Sequence, residues 1–289
     1  MRKHRFTDKH PMIASVLICF FLMILCELIP ALFQIVHYMI AGTPSELMSI
    51  LYMVIGSLFV FLLYKWWFAP DFEGALKGGN LREGFSLELP FIIYWVVTGI
   101  AMVIDHTFEL KTLTLTILRV SLTAGLVEEL SFRHGIVSTL FRKYDQKEDI
   151  LKVCVFSGIV FGLFHMTNVL AGADPISTIV QVITAGCLGV FFASVYVRCG
   201  NLWPCIILHA VHDIYAITTT AEVSEEGIIT GGVTLSSIVD MIACIALAAF
   251  AIIRYLSPDQ REKIVRLWDG KWNRKKIEAV EEKEELIGQ

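Results

Sequence analysis

Long apolar runs separated by short polar loops dominate this chain. A membrane-crossing helix needs about 20 mainly apolar residues. By that measure the pattern predicts helices at about 12–40, 46–68, 89–106, 112–141, 151–171, 175–198, 201–219 and 231–255. The expected fold class is therefore all-α, a polytopic membrane protein of about eight transmembrane helices. The first run, Met12 to about Phe33, is longer than the apolar core of about 7–15 residues in a secretory signal, so it reads as a retained span. Residues 1–257 are expected to form the membrane domain, with a core at 112–219 that holds the polar clusters, and 258–289 a charged tail.

The charges orient these spans. Arg2, Lys3, Arg5 and Lys9 precede the first, and Lys65, Lys77 and Arg82 mark the second loop. Arg142, Lys143, Lys147 and Lys152 mark the fourth loop, Arg198 the sixth, and Arg254 to Lys283 the tail. The loops near Gly42, Gly172 and Glu225 carry no Lys or Arg, and the third loop carries only Lys111. The positive-inside rule then puts both termini and the even loops in the cytoplasm. The second loop, Pro70 to Leu89, is rich in Gly and charge and is expected at the interface. After Pro258, Ile264, Val265, Leu267, Trp268 and Trp272 alternate with Arg261, Lys263, Arg266, Lys271 and Arg274–Lys276. That pattern suits a helix on an anionic membrane face or a solvated tail with an aromatic anchor. The acidic end, Glu278 to Glu285, is expected to fray.

Composition agrees with a membrane protein: of 289 residues 55% are hydrophobic and only 18% charged. The seven cysteines show no CxxC pair and read as small buried hydrophobes rather than a disulfide framework or a zinc site. No repeat is visible, and nothing suggests a nucleic-acid surface.

Three polar clusters interrupt otherwise apolar spans: Glu128-Glu129-Leu-Ser-Phe-Arg133, Phe161-Gly-Leu-Phe-His165 and His209-Ala-Val-His212-Asp213. Ionisable side chains in hydrocarbon are costly and are kept for a partner or a task. Glu129 and Arg133, four apart, share a helix face and can neutralise each other. Glu128 points about 100° away and is free to accept a proton from water. His209 and Asp213 also share a face, and Phe161 stands one turn before His165. Counted by helical rise, Glu128, His165, His209 and Asp213 all fall in the middle-to-cytoplasmic part of the bilayer. His37, His106, His134 and His212 read as packing residues, and Glu27, Asp105, Arg119 and Asp240 as helix-contact or interface residues.

In order and spacing these clusters follow the pattern EExxxR, FxxxH and HxxxN/D. The chain thus resembles the CAAX proteases and bacteriocin-processing enzymes, polytopic membrane peptidases that include type II CAAX endopeptidases. The resemblance covers about Thr112 to Thr219. It implies that Glu128 and His165 activate a water, that His209 and Asp213 stabilise the oxyanion, and that Glu129 and Arg133 support the site. CAAX-processing members usually carry Asn where Asp213 stands. Asn can donate to an oxyanion and an ionised Asp cannot, so Asp213 must be protonated, orient His209 or act as a ligand.

The expected function is an intramembrane endopeptidase, opening toward the cytoplasm and cleaving a membrane-associated peptide or protein. Its expected home is a bacterial cell membrane. A bacteriocin self-immunity or regulatory protein acting by binding is the alternative. A proton-coupled transporter is a third, disfavoured by the lack of repeated halves. A metal-free mechanism is expected. If zinc were used, Glu128, His165 and His209 would be its ligands, although no HExxH is present.

Overall fold

The computed structural model describes residues 6–221 and 223–273. After a single helical turn at Phe6–Lys9, the elements in chain order begin with α1 (Pro11–Ala41) and α2 (Glu46–Leu63), the latter continued by a π turn at Tyr64–Phe68. Next are α3 (Leu81–Leu87), α4 (Pro90–Ile104) and α5 (Leu115–Thr123), which widens into π-helix over Ala124–Ser138. They are followed by α6 (Asp149–Phe164), which tightens into a 3-10 helix at His165–Ala171, and by α7 (Pro175–Cys199). The series ends with α8 (Trp203–Thr219), α9 (Leu235–Arg254) and α10 (Pro258–Lys271). Among the described residues no strand forms; there are two isolated bridges, Phe108 with Thr220 and Val223 with Ile229. The architecture is polytopic and all-α.

Local chemistry sets the helix ends. Asp174 accepts from the Ser177 N–H at 2.8 Å, and Thr234 with Ser237 forms a capping box at the start of α9. Prolines occupy the first turns of α1, α4, α7, α8 and α10, where a missing N–H costs nothing. Gly42 and Gly200 close α1 and α7 at φ 71° and 67°, a conformation that favours glycine.

Six stretches are long and apolar enough to cross a membrane: Pro11–Ala41, Glu46–Phe68, Leu81–Ile104, Asp149–Ala171, Pro175–Cys199 and Leu235–Arg254. The other two expected spans are the helices that carry polar clusters. Residues 115–138 include Arg119, Glu128, Glu129 and Arg133, and α8 has only 17 residues. Charge in the first and length in the second keep them below the span measure.

Packing is tightest where side chains are smallest. A Cβ on Gly158 would lie 2.6 Å from the Gly186 carbonyl, and one on Gly162 would lie 2.5 Å from the Val182 carbonyl. This GxxxG face lets the backbones of α6 and α7 approach closely and seats His165 one turn beyond Phe161.

Loops knit each end of the bundle. On the basic face, Asn80 N–H donates to the Cys199 carbonyl at 2.7 Å, Leu202 N–H to Ala75 at 2.9 Å and Glu73 N–H to Lys271 at 2.7 Å. The second loop is therefore folded into the protein rather than spread on the interface: Phe72, Ala75 and Glu88 are buried. The tail departs from expectation in a similar way. Ile264, Trp268 and Trp272 of the α10 segment are buried in the protein, not in lipid. Trp268 stacks on Phe141 at 4.4 Å and donates its indole N–H to the Val197 carbonyl at 3.0 Å. Lys271 Nζ donates to the carbonyls of Gly74 and Lys77, and burial pushes its pKa below that of free lysine. Arg2, Lys3, Arg5, Arg274–Lys276 and the acidic end Glu278–Glu285 lie outside the described residues.

On the opposite face, which is poor in Lys and Arg, Glu109 and Lys111 N–H groups donate to Thr219 and Thr218, and Ser236 N–H donates to the Asp105 carboxylate at 2.9 Å. Lys111 Nζ, the lone base of the third loop, donates to the carbonyls of Thr220 and Val223.

Candidate active site

The three polar clusters lie on α5, α6 and α8, and the bundle brings their side chains to one cavity of about 500 Å³. Glu128, His165, His209 and Asp213 line it. A Cβ on Gly125 would sit 2.6 Å from the Ile206 carbonyl, so the π-helical stretch can press against α8 only because that position is glycine. This approach puts Glu129 against His209.

His209 is the hub. Its Nδ1 lies 2.8 Å from Glu129 Oε1, and a carboxylate only accepts, so Nδ1 carries a proton. Its Nε2 faces Glu128 Oε2 at 3.7 Å and Asp213 Oδ1 at 3.8 Å, both longer than a hydrogen bond. Two carboxylates from different helices thus converge on one ring nitrogen. Behind them, Arg133 Nη1 sits 2.9 Å from Glu129 Oε1, with both side chains fully buried. The guanidinium also lies over the rings of Phe161 at 4.3 Å and Phe192 at 5.3 Å. These aromatic faces supply attraction where buried hydrogen-bond acceptors are few.

His165 begins the 3-10 turn, and its Nδ1 is 2.9 Å from the Phe161 carbonyl. The carbonyl only accepts, so in the neutral ring Nδ1 holds the proton and Nε2 keeps its lone pair. The rings of His165 and His209 stand edge-on to Phe161 at 4.9 and 5.9 Å, and Phe192 stacks on His209 at 5.4 Å. The site therefore holds a carboxylate, an imidazole lone pair and an oriented imidazole, the parts that proton transfer to and from water requires. Among the described residues, no group of three or more His, Cys, Asp or Glu side chains is arranged to hold a metal ion.

The cavity extends away from the second loop. From the His209 region its wall runs through Asn168, Thr220, Glu226 and Gly232, segments of the face poor in Lys and Arg. By helical rise Asp213 is about 9 Å and His209 about 15 Å from the α8 terminus at Thr219. No residue of the second loop or of α10 lines it. The second loop and α10 pack against each other at the basic end.

Several wall residues read differently in the sequence. His134 packs, as expected, among Tyr64, Phe61 and Phe72, and His37 pairs with Tyr52 at 3.2 Å. His212, Glu27, Arg119 and Asp240, together with Tyr94, also line the cavity. Tyr94 O–H donates to Asp240 at 2.6 Å, and Arg119 Nε to Glu46 at 2.8 Å. A helical signal was present for His212, which stands three residues after His209 on the same face.

Residues 110–215 match the family model described as Type II CAAX prenyl endopeptidase Rce1-like. No curated protein and no solved structure matches the chain.

Proposed function

We propose that this protein is a glutamate-type intramembrane endopeptidase: its residues 110–215 match the model of the Rce1-like type II CAAX prenyl endopeptidase family, a family of membrane proteases. The observation that carries the reading is the meeting of Glu128 and Asp213 at Nε2 of His209, in a cavity shared with His165.

Glu128 takes a proton from water, with the His165 Nε2 lone pair orienting the second hydrogen. The water oxygen adds to the scissile carbonyl carbon, and the carbonyl oxygen becomes an oxyanion. A proton on His209 Nε2 would face that oxygen, with the ring held by Glu129 and Arg133. Asp213 orients His209. As the C–N bond breaks, Glu128 returns its proton to the leaving amine. We read the chemistry as metal-free, with Glu128 itself activating the water.

The substrate is proposed to be a membrane-associated peptide or protein segment. The positive-inside reading keeps the termini in the cytoplasm of, on the sequence reading, a bacterial cell. The cavity then opens to the opposite side, and the substrate reaches it from there rather than from the cytoplasm. Cysteines placed at Glu226 and Asn168 are expected to react with a membrane-impermeant maleimide in intact cells, and one at Lys147 only after permeabilisation. The reverse labelling would return the substrate to the cytoplasmic side. Comparison of terminal peptides from wild-type and Glu128→Gln cells tests the peptidase activity itself; identical peptides would contradict it.

A further inference from the structure

The second histidine of α8 also faces the cavity. His212 follows His209 by three residues and precedes Asp213 by one, and its ring lines the same cavity. Its Nδ1 lies 3.2 Å from the indole Nε1 of Trp95 on α4. An indole nitrogen can only donate, so Nδ1 accepts, and the proton of the neutral ring must reside on Nε2. Phe91 and Tyr94 brace the ring at 5.8 and 5.6 Å, and Tyr94 is itself tied to Asp240 at 2.6 Å. Trp95 in turn stacks on Tyr215 at 5.8 Å, and Tyr215 O–H donates to the Trp95 carbonyl at 2.9 Å. The α4–α8 wall thus holds this imidazole in one orientation and one tautomer.

The catalytic cluster is otherwise rich in acceptors. Glu128, Asp213 and the His165 lone pair all accept, which leaves His209 as the one donor among them. An oxyanion needs donors that are aimed before charge develops. Resting on the endopeptidase reading, we propose that His212 is a second oxyanion donor, presenting Nε2–H to the scissile carbonyl oxygen while Trp95 acts as a positioning residue that fixes the tautomer. The three histidines then divide the work by protonation: His165 accepts at Nε2, His209 donates at Nε2 as an imidazolium whose other proton is held by Glu129, and His212 donates as its Nε2–H tautomer.

The test uses full-length protein in proteoliposomes and a fluorogenic farnesylated peptide ending in a CAAX sequence. His212→Phe keeps a ring without an N–H, and His212→Gln keeps an N–H. Loss of one oxyanion donor costs about 10²–10³ in kcat. The expected result is a fall of that order for His212→Phe with KM little changed, and at least a ten-fold recovery, on the order of one donor's share, in His212→Gln. In an Asp213→Asn background, where the new amide supplies a donor, His212→Phe should cost less than in wild type. Should His212→Phe fail to fold, Trp95→Phe carries the test, because it releases the tautomer without touching substrate; its kcat should fall with KM unchanged. Wild-type kcat in His212→Phe or Trp95→Phe, or equal losses in His212→Gln and His212→Phe, would overturn the assignment. A reporter cleaved equally by wild type and Glu128→Gln would overturn the peptidase reading, and this role would fall with it.

Discussion

Exchange of Glu128 for Gln is expected to slow peptide hydrolysis by about 10³-fold, within the roughly 10²–10⁴-fold range of general-base catalysis. The amide matches the carboxylate in size and shape but cannot take a proton from water. Stability should be little affected, because Glu128 lies outside the buried ion pair and touches His209 only at 3.7 Å. His165→Gln and His209→Ala are expected to cause losses of similar order. Groups that act as one unit give non-additive effects, so Glu128→Gln with His165→Gln should be no worse than about the weaker single variant. Initial rates in proteoliposomes, with thermal melts in detergent, make the measurement. A folded Glu128→Gln protein that kept a tenth of wild-type activity, on the order of one 1.4 kcal/mol step, would remove Glu128 from the base role. The same assay addresses the metal: 1,10-phenanthroline is expected to leave the rate unchanged. Inhibition reversed by added zinc would instead make Glu128, His165 and His209 candidate ligands.

What could be read in the sequence was what depends on local spacing. The first run predicted at 12–40 is the helix Pro11–Ala41, and the run predicted at 175–198 is Pro175–Cys199, since hydrocarbon length and terminal prolines are written in consecutive residues. The Glu129–Arg133 contact was equally local, because four residues bring two side chains onto one face even in a π-helical stretch. What could not be read depends on contacts between distant segments. Trp95 and His212 are 117 positions apart, and neither residue alone marks the other as its partner. The amphipathic pattern of α10 did announce a buried face. It could not say whether lipid or protein would cover it, and the answer lies in Phe72, Phe141 and the Val197 carbonyl. The side on which the cavity opens is a property of the assembled bundle. Depth along separate helices does not say which loops complete the wall, and here Asn168, Thr220 and Glu226 do.

The second large effect concerns stability rather than rate. Arg133 and Glu129 are both completely buried, 2.9 Å apart. Removing one partner of such a pair leaves an uncompensated charge and costs about 3–5 kcal/mol, whereas replacing both by neutral groups of similar size is often nearly neutral. Arg133→Met is therefore expected to lower the melting temperature steeply or to prevent accumulation of the protein. Adding Glu129→Gln should recover much of that loss, because the amide oxygen still accepts from His209 Nδ1–H without a net charge. The recovery should be confined to stability. With Glu129 neutral and Arg133 absent, His209 loses the carboxylate that holds its ring for an oxyanion, so activity of the folded double variant should remain low. Melting curves and initial rates on the four proteins of this cycle separate the two effects. If the double variant recovered stability and rate together, Glu129 and Arg133 would be structural only, and the positioning of His209 would have to come from Phe192 and Phe161 alone. If it recovered neither, the pair would contribute through its packing on those rings, and the ion pair itself would not be what the fold requires.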